Sequence, residues 1–322
     1  LSYWQQQLTN VPPLLSLPTD FPRPATQQFD GGTYRFQLSP ALTAALTRIS
    51  QQSGATLYMT LMAAFQLLLH RYSNCSDILV GSPIAQRSHP SLENVLGMFV
   101  NTLVIRGRFS LEENHDLNFI QLLDQIRTAS LEAFANQEVP FELVLEALPV
   151  ERNWSHSPLF QVMFIWQAVQ PSTANFQEQL SHRFDWESIS LESNTTKVDL
   201  TLSMAEETRE GSETSLSGKF EYRQDLFRAE TIAAMADAFC TLLEAIAQSP
   251  NQPIKSLPLV SPQQQQQLAQ WNDTVRPYPT DVCLHQLFEQ QVARSPLATA
   301  LITSTETLTY EDLNRRANQL AK

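Results

Sequence analysis

The stretch TLYMTLMAAFQLLLHRY, from Thr56 to Tyr72, is apolar on nearly all faces of a helix. A helix without a polar stripe has no side to offer to water, so other elements must enclose it. The chain is long enough to do so. Its 322 residues, 43% of them hydrophobic and 17% charged, leave room for one large domain, or for one domain and part of another.

The enclosing elements can be read along the chain. Pro12–Gly32 is rich in proline and without period, which predicts an extended connector laid over a surface. TYRFQL (Thr33–Leu38) alternates as a strand does. In SPALTAALTRISQQSG, Ser39 is placed to cap a helix, Pro40 suits its first position and Gly54 ends it. DILVGSPIA (Asp77–Ala85) predicts a short strand. LGMFVNTLVIR (Leu96–Arg106) predicts another, in which Phe99 and Val100 pack, while Gly97, Asn101 and Thr102 are foreign to a sheet core. Helices are expected at Asp116–Gln137 and Pro140–Leu148, then strands at Leu159–Val169, Arg183–Ser190, Lys197–Glu206 and Ser215–Arg223. An amphipathic helix follows at Ala229–Gln248. Helices and strands alternate early and strands cluster late, so the fold class expected is α/β, of the α+β kind: a mixed sheet with flanking helices.

Four prolines in Ser249–Pro262 forbid a long helix and mark a linker. QQQQQLAQWN is a short polar helix candidate, and two further helices, DVCLHQLFEQQVARSP and LTYEDLNRRANQLAK, flank a short strand at TALIT. The division expected is residues 1–250, a linker over 251–275, and a short unit over 276–322 too small to bury its own core. With no initiator Met and a helical pattern at its first residues, the chain is expected to be an internal piece of a longer one.

Composition excludes several classes. A formal net charge of −12 leaves no basic stripe for nucleic acid. No run approaches the roughly 18 apolar residues of a membrane span. Cys75, Cys240 and Cys283 lie far apart and form no CxxC pair, which argues against a disulfide framework and fits a reducing, cytoplasmic compartment. None of the six histidines pairs with another at ligand spacing, so no metal site is expected. His70, on the apolar helix, reads as a hydrogen-bonded core or helix-end residue. There is no GxSxG elbow and no glycine-rich phosphate loop. Spacing and composition alone give no catalytic constellation.

The order of the motifs is more specific. LGMFVNTLVIR, then NQEVPFE (Asn136–Glu142), then RNWSHSPLFQVMF (Arg152–Phe164) resembles the condensation domains of nonribosomal peptide synthetases, which carry [IV]GxFVNT, HQDxPFE and RDxSxxPLFQ in that order. SYWQQQL…PPLLSLPTDFPRP is similar to the family's crossing from first to second lobe, and HRYSNCSDILVGSPIAQR to its helix-to-strand segment. LHQLFEQQVARSP…LTYEDLNRRANQLA resembles the beginning of an adenylation domain, with Asp312 for the usual Glu. Leu96, Asn136, Glu138, Val139, Asn153, His156 and Ser157 depart from the usual residues. A neutral Asn153 cannot hold an arginine as an aspartate does. The family's HHxxxDG motif, which carries its best-known catalytic histidine, does not occur in the chain.

The resemblance implies a chloramphenicol-acetyltransferase-like second lobe, a linker and a truncated adenylation start. In the family, such a lobe walls a tunnel where the amine of one carrier-bound aminoacyl thioester attacks the carbonyl of another, forming an amide. Holding the two thioesters head to head supplies much of the rate. The partners implied are upstream and downstream peptidyl carrier proteins bearing phosphopantetheine arms, the first lobe, and the remainder of the adenylation domain, to which ATP and magnesium belong. No cofactor is expected on this stretch itself, which is expected to be inactive alone. Tunnel candidates are Gly97, Asn101, Thr102, Ser82, Pro83 and Gln161. Asn101 is expected to face the pantetheine arm, with Thr102 turned to the opposite face, or to tie down a neighbouring loop through backbone hydrogen bonds, and both can hold together. Phe160, Val162 and Phe164 are expected on a core-facing strand surface, with Gln161 on the other. Two alternatives share these motifs: an epimerising or heterocyclising relative of the same fold, and a non-catalytic platform that only docks carrier proteins. An intact, degenerate or DxxxxD-type motif upstream separates them.

Overall fold

The computed structural model describes residues 1–87, 89–92, 95–109, 117–150, 153–167, 194–207, 214–277 and 280–321. They form two compact units, Leu1–Gln264 and Gln265–Lys322.

The first unit is built on six strands: β1 (Gly31–Leu38), β2 (Asp77–Ile84), β3 (Asn101–Arg108), β4 (Val162–Gln167), β5 (Leu200–Glu207) and β6 (Ser215–Arg223). Their order is β1-β6-β5-β4-β2-β3, with β2–β4 and β4–β5 parallel and the other pairs antiparallel. The mixed sheet expected from the sequence is present. The expected strand Arg183–Ser190 lies outside the described residues.

One face of the sheet carries helices. These are α2 (Pro40–Gln52), α3 (Leu57–Ser73), α4 (Phe119–Ala135) and α6 (Ala229–Gln248); α1 (Ser2–Gln7) and α5 (Phe141–Ala147) are short. The apolar stretch Thr56–Tyr72 forms α3. Thr56 caps it by accepting the Met59 N–H, and every residue from Met59 to Leu69 is buried. Its Phe65 ring packs 6.1 to 6.3 Å from the rings of Phe164, Phe220 and Phe239, which ties α3 to β4, β6 and α6. Aromatic contacts of this kind add to the hydrophobic gain of burial. Gln66 is the one amide within this run. Its Nε2 donates to the Ile105 carbonyl at 3.0 Å, and Gly107 opposite leaves the room its Oε1 occupies. Ser39 and Asn118 cap α2 and α4 through Leu42 N and Gln121 N, as such residues do at helix starts.

Part of the predicted linker belongs to this unit. Ile254 and Leu257 are buried among the core side chains. The polar glutamine run is helix α7 (Pro262–Trp271).

The second unit contains α8 (Leu284–Arg294), a two-stranded ribbon of β7 (Thr299–Ile302) and β8 (Thr307–Thr309), and α9 (Tyr310–Leu320). LTYEDL, expected wholly in a helix, is split: Leu308 and Thr309 are strand, and Thr309 caps α9 through Asp312 N. Leu308 is the only buried residue of this unit among those described, which agrees with its size. No helix of the described residues is long and apolar enough to cross a membrane, and no group of three potential metal ligands occurs among them.

Candidate functional site

Strand alternation sorts the predicted site residues onto two faces of the sheet. On β3, Leu103 and Ile105 face the helices; so does Asn101. Its partner across the ladder is Ile84, and Ser82 stands opposite Leu103 on the same side. Thr102 and its partner Pro83 face the other way. Asn101 and Thr102 therefore lie on opposite faces, with Asn101 on the helix side.

Asn101 is buried, and every hydrogen-bonding position of its amide is taken. Nδ2 donates to the carbonyls of Gln137 at 2.8 Å and Val139 at 2.9 Å. Oδ1 accepts from the Phe141 N–H at 3.1 Å and from Thr102 N at 2.9 Å. An amide has two donors and two acceptor positions, so nothing is left over for a ligand. Of the two roles open at the sequence level, the structure shows the loop tie. It joins FVNT to the PFE motif, where Pro140 stands at the N-cap and Phe141 and Glu142 open α5.

Ser82 is also committed: Tyr58 Oη donates to its Oγ at 3.0 Å beneath the sheet. Gln161 does not reach an open surface. It is buried, its Oε1 accepts Leu15 N at 2.8 Å, and its Nε2 donates to Ser157 O at 2.9 Å. The strand begins one residue later, at Val162, which explains why the alternation expected to turn Gln161 outward does not govern it. Phe160, Val162 and Phe164 are buried as expected.

LGMFV is not strand. Leu96, Met98 and Val100 are 99%, 93% and 59% exposed, so the packing expected of Val100 does not occur. Phe99 instead lies under the Arg87 guanidinium, 4.6 Å from ring centre, and the same arginine donates to the carbonyls of Leu92 and Val95. Gly97 is in this exposed loop, beside the Phe99 ring. Apolar composition alone does not distinguish a strand from a loop held by a cation–π contact.

The face of the sheet opposite the helices holds a cleft of about 590 Å³ over β1, β6, β5 and β4. Its floor is a row of cross-strand partners: Ile165 opposite Ser203, Ser203 opposite Lys219, and Lys219 opposite Arg35. Gly81 is in register with Met163 in the parallel pair; Pro83 and its partner Thr102 lie on the same sheet face, on β2 and β3, but do not line the cleft. Polar and apolar side chains alike line the cleft. Lys219 Nζ pairs with Glu221 at 3.0 Å, and Gln37, Gln167 and Ser217 lie alongside. These side chains were missed in the sequence because polar residues alternating with apolar ones in LTLSMAE and SLSGKFEYR read as an ordinary wet face.

A second constellation was also missed. Asp199, 3% exposed, receives Arg23 through both carboxylate oxygens (Nη1–Oδ1 3.0 Å) and Arg223 Nη1 at 3.2 Å. Arg223, wholly buried, also forks onto Asp225 (Nε–Oδ1 2.9 Å, Nη2–Oδ2 2.5 Å). Burial works against the Arg223 charge, but Asp225 and Asp199 outweigh it and raise its pKa. Both arginines donate to the Ser155 carbonyl, at 3.4 and 3.3 Å. Asn153, where the motif has Asp, accepts Ser155 N at 2.9 Å and shapes that turn. The substitution thus keeps a local role without an ion pair. Arg152 lies outside the described residues.

The family model described as "Condensation domain" matches residues 1–269. The chain is 44% identical over 322 residues to a linear gramicidin synthase of Brevibacillus parabrevis, covering 100% of this chain and 6% of that protein. It is 38% identical over 322 residues to tyrocidine synthase 3 of the same organism, covering 100% of this chain and 5% of that protein. The chain therefore spans only a small part of the curated relatives it matches. Among solved structures, a holo four-domain nonribosomal peptide synthetase bound to AMP and glycine superposes with a TM-score of 0.81 at 25% identity, over 99% of this chain and 24% of that one. With a family match that covers the whole sheet unit and the FVNT, PFE and PLFQ segments just described, the chain belongs to the condensation-domain family.

Proposed function

We propose that the chain is the second lobe of an amide-forming condensation domain in a modular nonribosomal peptide synthetase, followed by a connector and the beginning of an adenylation domain. The likeness to synthases of linear gramicidin and tyrocidine supports this reading. The reaction joins an amine on one carrier-bound thioester to the carbonyl of another. The amine, with a solution pKa near 8, needs little base help once the two groups are held together. Phosphopantetheine is then presented by upstream and downstream carrier proteins, and ATP with magnesium belongs to the rest of the adenylation domain. The chain has no HHxxxDG motif and is inactive without the lobe that carries it. The setting is cytoplasmic.

The single observation that carries the site assignment is the cleft on the helix-free sheet face, lined by polar and apolar side chains alike, with the row Ile165–Ser203–Lys219–Arg35 as its floor. An open, pre-formed floor of apolar surface with polar groups set along it suits the passage of amide-bearing arms. Asn101, Ser82 and Gln161 act one step removed, by fixing the loops and strands around it. The test is Ser203→Trp in the complete module, which fills the cleft from a half-buried position. Amide formation should fall at least about tenfold, a barrier change of about 1.4 kcal/mol, with the unfolding midpoint nearly unchanged. Unchanged turnover in a folded variant removes the cleft from the reaction path.

A further inference from the structure

The chain leaves α6 through Ser249–Pro262, whose prolines read as a free linker. Its middle is held. Arg71 stands in the last turn of α3, the most enclosed helix of the fold, and its Nη1 reaches the carbonyls of Ile254 at 3.1 Å, Lys255 at 3.3 Å and Leu257 at 3.0 Å. These oxygens belong to a single 3-10 turn, Ile254–Ser256, and the residue after it. A turn this short leaves its carbonyls without helical partners, and a cation at that end satisfies them.

Two independent contacts hold the same segment. The Ile254 N–H donates to Leu117 O at 2.8 Å, with an antiparallel bridge between Asn118 and Pro253 at the head of α4. Leu257 is 1% exposed within the core. Cation, backbone bridge and apolar anchor thus act on five consecutive residues. Burial lowers the Arg71 pKa, as desolvation of a cation should.

We propose that Arg71 is an exit clasp: it makes Pro253–Leu257 the closing element of the first unit, so that the connection toward the second unit leaves the core no earlier than Pro258, and not at Asn251. In a multidomain enzyme the connector is where motion is allowed, and the clasp shortens it at its origin. This inference stands apart from the catalytic assignment.

The test uses the whole 322-residue chain. In the wild type, the Ile254 amide should exchange slowly, and trypsin should spare the Lys255–Ser256 bond under native conditions. Arg71→Ala should raise exchange at Ile254 and Ser256 by about tenfold or more and open Lys255 to cleavage, while amides of β3 and β5 keep their protection. Arg71→Lys, which keeps the charge on a shorter side chain, should release the segment less, and carries the comparison if Arg71→Ala also loosens the sheet. Rapid wild-type cleavage at Lys255, or protection at Ile254 that Arg71→Ala leaves unchanged, overturns the proposal.

Discussion

Asn101 Oδ1 accepts the backbone N–H of Phe141, 40 residues further along the chain, at 3.1 Å. Through that bond and its two donations to Gln137 and Val139, one side chain at the first residue of β3 fixes how the chain turns into α5. Two of the family's motifs are therefore one structural joint.

Loss of that joint has a defined cost. Asn101→Ala takes the side-chain partner from two carbonyls and two N–H groups in a buried place and should lower unfolding free energy by about 2–4 kcal/mol. Asn101→Asp keeps the acceptor but turns a carboxylate toward the Gln137 and Val139 carbonyls, and should be no better. Urea unfolding of the chain measures both. A loss below about 0.5 kcal/mol would show that water replaces the amide without penalty.

Asp199 is the common partner of Arg23 and Arg223. Asp199→Asn leaves Arg223 buried with only Asp225 as counter-charge and frees Arg23 from the β5 entrance. Breaking one side of a buried ion network costs about 3–5 kcal/mol. The Ser155 turn should loosen as well, seen as faster exchange of the Ser155 amide, whereas a surface ion pair such as Arg127–Asp124 should show a loss within about 1 kcal/mol on Asp124→Asn.

Tyr58 is one of several buried groups that make the fold sensitive to alkali. Burial pushes its pKa up to about 12 from an ordinary 10. A group whose folded pKa lies above its unfolded value contributes fully below the unfolded value and loses that contribution as pH rises through the folded one. Between pH 10 and 12 the unfolded chain therefore sheds a proton that the folded chain keeps, and stability should fall by about 2–3 kcal/mol from this residue. Tyr58→Phe forfeits the Ser82 hydrogen bond and should be less stable at pH 8, yet its urea midpoint should decline less steeply above pH 10. Parallel pH profiles for the two proteins would contradict this.

The buried helix, the mixed sheet, the ends of α6 and β6 and the capping role of Ser39 were legible because they rest on local rules: period, cap chemistry and proline position. The family was legible from the order of its motifs. Exposure in LGMFV was not legible, because Leu96, Met98 and Val100 look identical in sequence whether a strand buries them or Arg87 holds the loop away from the core. Gln161 failed for a related reason: alternation applies only inside a strand, and β4 starts at the next residue.

What the sequence by itself determined is therefore most of the elements of the first unit and the lineage. The tertiary structure alone decided which face each polar residue serves. The register of β3 turns Asn101 toward the helices and Thr102 toward the opposite face of the sheet. Likewise, Arg23, Asp199 and Arg223 come from three distant segments, and Arg71 meets carbonyls more than 180 residues away. Such partners depend on register and on long-range closure of the sheet, and no local pattern of residues encodes either.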